Sequence, residues 1–338
     1  MLKISVFMEK IIPFIDLHED IADNCQILTG KNFFSRNKLH SGSNTAGFPV
    51  NNQVDIFRLF EGGTKMIFGA SCPFALENGE IVVPADPFAT LKKQLDFYLS
   101  LFEQDTRLKK ITSFDEYKNI RERKEIGILM HVEGADFLAD EARSVKELYD
   151  IGVRSIGLTH NEKNALAGGA KSDGKLTKIG RQRLEEIKNL KIIFDLAHLN
   201  EKSFWQSIKI IDSPIMCSHC GIEYIKKDPR NLNDKQLKAI CAKDGIVGIA
   251  FTPSFFNSNS AEELIATFRY LKQKIGTDHL AVGSDFDGII APKLFPELSE
   301  VSQMQNLVRL LKGAGYNESE IEQVFFRNAE EKLLAKLS

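Results

Sequence analysis

A chain of 338 residues, 43% hydrophobic and 27% charged, is long enough for one large core and too apolar for extended disorder. Its 44 Lys and Arg against 46 Asp and Glu leave a formal net charge of −2, which excludes a field that would gather nucleic acid or an anionic membrane surface and favours a small-molecule substrate. Five cysteines (Cys25, Cys72, Cys217, Cys220 and Cys241), an odd and sparse set, argue against a disulfide framework and for a reducing compartment.

Residues 1–10 hold a short apolar stretch broken by Glu9 and Lys10, without the long apolar region and cleavage site of a secretion signal. No run reaches the ~20 apolar residues of a membrane span. A cytoplasmic protein with no membrane partner is the expectation. The first strand-length apolar run, 11–17, ends in His18 and Asp20. Alternate residues of an extended chain point the same way, so these two side chains can reach one point, as a metal site requires.

Residues 23–58 follow as a polar, turn-rich stretch too long for an ordinary connection, read as an excursion over the C-terminal end of the first strand. Further strand-length runs lie at 65–71, 126–132, 155–159, 191–196, 214–218, 245–251 and 280–284. Between most of them lie segments of helical period at 87–103, 142–151, 176–190, 203–210, 234–243 and 261–275. A second polar patch, 161–177, is placed over the same mouth as the excursion. Helices at 302–312 and 318–337, separated by Gly313 and Gly315, close the chain.

Eight strands alternating with crossover helices predict a parallel sheet that closes as a (β/α)8 TIM barrel of the metal-dependent hydrolase type, in one domain over 1–338. An open doubly wound sheet would carry a glycine-rich turn after its first strand, and residues 16–20 contain no glycine.

In such a barrel the C-terminal strand ends share one mouth. Those positions are His18, Asp20, Glu133, His160, His198, His219 and Asp285, and they take four of the seven histidines. Neutral imidazole and carboxylate suit zinc and related divalent ions. Because a carboxylate can bridge two ions that activate a water between them, the set divides into His18, Asp20 and Glu133 for one ion and Glu133, His198 and His219 for the other.

Taken in order, Asp16-Leu17-His18-Glu19-Asp20, His131-Val132-Glu133-Gly134, Leu158-Thr159-His160-Asn161, Asp195-Leu196-Ala197-His198, Ser218-His219, Pro229-Arg230-Asn231-Leu232 and Asp285-Phe286-Asp287-Gly288 resemble the motifs of the membrane (renal) dipeptidase family, the M19 peptidases of the amidohydrolase superfamily. The resemblance covers about 16–287. It implies a binuclear zinc dipeptidase with Glu133 as bridging ligand, Asp285 as general acid/base, His160 at the substrate carbonyl oxygen and Arg230 on the free carboxylate of the dipeptide. It also makes a homodimer plausible. These roles have independent physical sense: a carboxylate can take a proton from water and return it to the leaving amine, an imidazole can donate to an oxyanion, and a guanidinium fork fits a carboxylate.

The chain departs from the family pattern at Leu17, Glu19 and Asp228, and at Phe325-Phe326-Arg327-Asn328, which replaces a glycine-rich turn. His131 is read as buried and hydrogen-bonded, His40 and His279 as surface residues, and Asp16 and Asp195 as supports for nearby histidines. Asp287 is expected to pair with a neighbouring loop or cap a helix. Cys217 and Cys220 read as small, partly buried residues at a strand end. Two other functions fit the same residues: a binuclear amidohydrolase acting on another amide or a lactone, and a non-catalytic metal-binding homologue.

Overall fold

The computed structural model describes residues 11–44, 47, 49–77, 80–212 and 214–337. The reading of residues 1–10 falls outside them. Eight parallel strands form the barrel: β1 (Phe14–Glu19), β2 (Thr64–Ser71), β3 (Ile126–Glu133), β4 (Val153–Gly157), β5 (Ile193–Asp195), β6 (Ile215–Ile222), β7 (Ile246–Ile249) and β8 (Leu280–Val282). Each pairs with its neighbours in sequence, β8 returns to β1, and the cylinder is closed. The expected (β/α)8 barrel is the observed fold.

The strands are buried on both faces because side chains fill the barrel and helices cover it, and this is why they read as continuous apolar runs. Ile15, Leu17, Met66, Phe68, Leu129, Ile193, Met216, Ile246 and Ala281 belong to one inner cluster, sealed at the bottom by Leu333 and Leu334 near the C-terminal end. The second, larger cluster packs strands against helices.

Local chemistry starts each crossover helix. Asp86 accepts from Ala89 N with Pro87 in the first turn, Thr177 caps Lys178–Asn189, Asn200 caps Glu201–Ser207, and Asn233 forms a reciprocal cap with Gln236. The final segment is not one helix. It breaks into Glu318–Glu322, a π-helical turn Gln323–Arg327 and Asn328–Lys332. Asn328 Nδ2 donates to Thr277 O at 2.7 Å and Leu280 O at 2.8 Å, so this segment clasps the start of β8.

The 23–58 excursion contains structure of its own, including the hairpin His40–Ser43 with Pro49–Asn51 and the helix Ile56–Gly62 capped by Asp55. It lies across the mouth. Gln53 N and Val54 N donate to Asp287 Oδ1 at 2.8 and 3.2 Å, and Lys31 forms an ion pair with Asp287 Oδ2 and donates to Val54 O at 2.6 Å. Asp287 therefore ties the excursion to the loop after β8 and caps no helix among the described residues. Among the described residues, no helix is long and apolar enough to cross a membrane.

Candidate metal centre

Two irregular stretches of backbone create the site. From Asp16 to Glu19, β1 advances three residues while β2 advances two, from Ile67 to Gly69. From Cys217 to Cys220, β6 advances three residues while β7 advances two, from Val247 to Ile249. Such an extra residue reverses the side-chain alternation locally. Met216 belongs to the inner cluster and Cys217 and Cys220 to the outer one, so the bulge turns His219 inward. Close strand approach demands glycine beside it, because a Cβ on Gly248 or Gly283 would run into Ser218 O. Both Cys217 and Cys220 are fully buried in β6.

His198, Asp285 and Asp287 adopt left-handed backbone with φ of 62°, 66° and 69°. Non-glycine residues reach this region only when surrounding contacts hold them there. Asp285 is held by its N–H to His18 O at 3.2 Å, and Asp287 by the contacts to the excursion.

Around Glu133 Oε1 lie His198 Nε2 at 2.8 Å, His219 Nε2 at 3.4 Å and His18 Nε2 at 3.7 Å. His18 Nε2 is also 3.4 Å from Asp20 Oδ1. The donor atoms of His18, Asp20 and Glu133 lie within 4.8 Å of one another, as do those of Glu133, His198 and His219. Glu133 belongs to both groups.

The residues fit divalent ions. Among the described residues, both ring nitrogens of His18 and Oε1 of Glu133 are buried with no hydrogen-bond partner, a state that buried polar atoms rarely keep. The other histidines have their far nitrogens engaged: His198 Nδ1 meets Asn161 Oδ1 at 3.0 Å, and His219 Nδ1 meets Ser218 Oγ at 2.9 Å. The Ser218 hydroxyl in turn donates to Asp195. With Nδ1 carrying the proton in each, both Nε2 lone pairs face the shared space, 2.9 Å from each other, and that of His219 also meets Arg230 Nη2 at 2.6 Å. Asp195 thus supports His219, not its sequence neighbour His198. Asp16 Oδ1 accepts from His18 N and Ser284 N at 3.2 and 2.8 Å.

Burial pushes the His198 and His219 imidazoles well below their usual range, leaving them neutral as ligands must be. Burial alone would also lower His18, but the charges of Asp20 and Glu133 outweigh it and raise the ring to about 10. For Glu133 burial acts upward, yet the charge of the neighbouring His18 ring holds the carboxyl well below the usual range. Burial and the Asp20 charge push Asp285 up to about 7, and the Thr252 hydroxyl donates to its Oδ2.

Above these groups opens a cavity of about 400 Å³ lined by Asp20, Glu133, His160, His198, His219, Arg230 and Asp285, among others, with His18 buried beneath it. His160 lies on the His198 ring with centroids 4.4 Å apart, and burial lowers its imidazole. Arg230 is no surface arginine: it is 6% exposed, and its Nη2 donates to His219 Nε2 at 2.6 Å. Asp228 accepts from Arg230 N at 2.9 Å. Away from the cavity, His131 is buried between Ser155 Oγ at 2.9 Å and Asp195 Oδ2 at 3.4 Å. His40 is exposed, and its Nδ1 meets Asn51 Oδ1 at 2.8 Å. His279 is half-buried and bonded to Gly245 O at 2.8 Å, a correction to its reading as a surface residue.

Sequence reasoning missed several lining residues. Asp23 is a buried carboxyl, pushed well up by burial, that accepts from Gln94 Nε2 and from Cys72 N at 3.3 Å. Cys72 follows the last residue of β2, and its Sγ lies within 4.8 Å of donor atoms of Glu133 and His160. The strand-end rule points to Cys72, but only histidines and carboxylates were gathered by it. Asp23 had a helical i+3 spacing from Asp20 that the loop reading hid.

The sequence model of the family described as membrane dipeptidase (peptidase family M19) matches residues 3–331. An uncharacterized protein in the pqqA 5′ region of Klebsiella pneumoniae is 31% identical over 262 residues, covering 73% of this chain and 96% of that protein. The uncharacterized dipeptidase C3A11.10c of Schizosaccharomyces pombe is 28% identical over 94% of this chain and 79% of its own length. Among solved structures, a Rhodobacter sphaeroides metallopeptidase liganded with a phosphinate mimic of the dipeptide L-Ala-D-Ala shares the fold with a TM-score of 0.80 at 23% identity, covering 97% of this chain and 100% of that one.

Proposed function

The chain belongs to the membrane dipeptidase family, peptidase family M19, and from that premise we propose that it is a dipeptidase holding two divalent ions, zinc by its donor set, and cleaving dipeptides with a free C-terminal carboxylate. The membership of Glu133 in both donor clusters carries the reading. His18, Asp20 and Glu133 would hold one ion, and Glu133, His198 and His219 the other. When bound, the ions would activate a water and polarise the scissile carbonyl.

The chain's own residues supply the rest. Arg230, buried on the cavity wall, clamps the substrate carboxylate with its planar fork and so orients the peptide bond over Glu133. Neutral His160 donates an N–H to the carbonyl oxygen as negative charge develops there. Asp285, oriented by Thr252, accepts the proton of the attacking water and returns it to the leaving amine.

A panel of L,L and L,D dipeptides and their C-terminal amides tests this. Free dipeptides should be cleaved and the amides should not, and Arg230→Ala should raise KM roughly 30-fold or more, since losing the partner of a buried carboxylate costs about 2 kcal/mol or more. Equal turnover of amides, or an R230A enzyme with unchanged KM, would assign the site to another amide or a lactone.

A further inference from the structure

We propose that Lys171 makes this cleft selective for dipeptides whose C-terminal residue carries an acidic side chain, an inference that rests on the dipeptidase reading. The cavity has two chemically different walls. The wall after β1 and β2 is acidic and apolar, with Asp20, Asp23, Leu28 and Phe74. The wall built from the β4, β5 and β6 ends carries Asn161, Lys171 and Arg230. If Arg230 takes the α-carboxylate, the C-terminal residue lies on the cationic side.

The backbone of Lys171 is clamped between the loops that carry His160 and His198. Its N–H donates to Asn161 O at 2.8 Å, and Ala170 N donates to His198 O at 2.7 Å. Gly169 pairs with Leu199, and any Cβ on Gly169 would collide with the carbonyl oxygens of His160 and Asn161. The Lys171 ammonium has neither a hydrogen bond nor an ion pair among the described residues, although its side chain is exposed at the cavity. A cation on a fixed base, lining the cleft and lacking an internal anion, is matched by an anion from the substrate.

Arg230 accounts for one substrate carboxylate. Asp228, an acidic residue of that wall, turns Oδ1 to Arg230 N and forms no ion pair with Lys171 among the described residues. A second carboxylate on the Asp or Glu side chain of the C-terminal residue branches from the same Cα as the first, and is the substrate group that Lys171, lining the same cavity as Arg230, would meet. A long ammonium stem tolerates either side-chain length.

The test is kcat/KM for Ala-Asp, Ala-Glu, Ala-Ala and Ala-Lys with the metal-loaded wild type, Lys171→Met and Lys171→Glu. The wild type should favour Ala-Glu or Ala-Asp over Ala-Ala by about tenfold, a preference that shrinks between low and high salt because the ammonium is exposed. In K171M the ratio of acidic to neutral substrate should fall about tenfold, and K171E should shift preference towards Ala-Lys. Equal rates on acidic and neutral dipeptides in the wild type overturn the proposal. So does a K171M enzyme in which both decline together, which would assign Lys171 to the α-carboxylate beside Arg230. In both cases the dipeptidase reading stands, whereas a wild type that cleaves no dipeptide removes both.

Discussion

The proton-transfer role proposed for Asp285 rests on its surroundings. Burial and the Asp20 charge raise its carboxyl to about 7, while Thr252 fixes one oxygen. As a base it must start deprotonated, so kcat/KM should rise with pH along an acid limb. Bound cations lower a neighbouring carboxyl, which puts that limb at or below pH 7. Asp285→Asn should cut kcat by about 10²–10⁴ and remove the limb. A limb that survives unchanged would place the proton elsewhere, and undiminished turnover would remove Asp285 from the reaction. That these residues meet at one mouth was legible because strand ends in this fold converge. Their geometry was not. The pleat argument for His18 and Asp20 assumed regular alternation, whereas β1 carries an extra residue there and Asp20 lies beyond the strand. No periodicity in one chain records how its neighbour advances.

At the scale of elements, strands and crossover helices were readable from apolar runs and caps, with β6 continuing four residues past its expected end to Ile222. The excursion was readable only as a length anomaly. Its hairpin and helix are stabilised by partners more than 200 residues away, such as Asn51 with Ile289 (|i−j| = 238) and Arg58 with Glu300 (|i−j| = 242). Lys31 and Asp287 form the buried link between excursion and mouth. Lys31→Met should destabilise the protein by about 3–5 kcal/mol, because it strands a buried carboxylate. It should also lower kcat, since Asp287 lies two residues from Asp285. Adding Asp287→Asn in the same chain should recover part of the stability. An unchanged unfolding midpoint for K31M would mean that the excursion is held by its apolar contacts alone.

For the whole molecule, one closed barrel gathers residues from position 18 to position 285 at a single mouth, and the groups left unpartnered there are those that suit cations. The cost of keeping His18 and Glu133 buried without partners should be relieved by ions, so chelation should lower the unfolding midpoint in an ion-concentration-dependent way. Zn2+ titration of the metal-free protein, with bound ion and dipeptide hydrolysis followed together in the wild type and in Glu133→Gln, tests the two-ion account most directly. The account predicts turnover that rises to a maximum at two ions per chain and is lost in E133Q together with at least one ion. Full dipeptide turnover in the metal-free protein, or an E133Q enzyme that binds two ions and works normally, would contradict it.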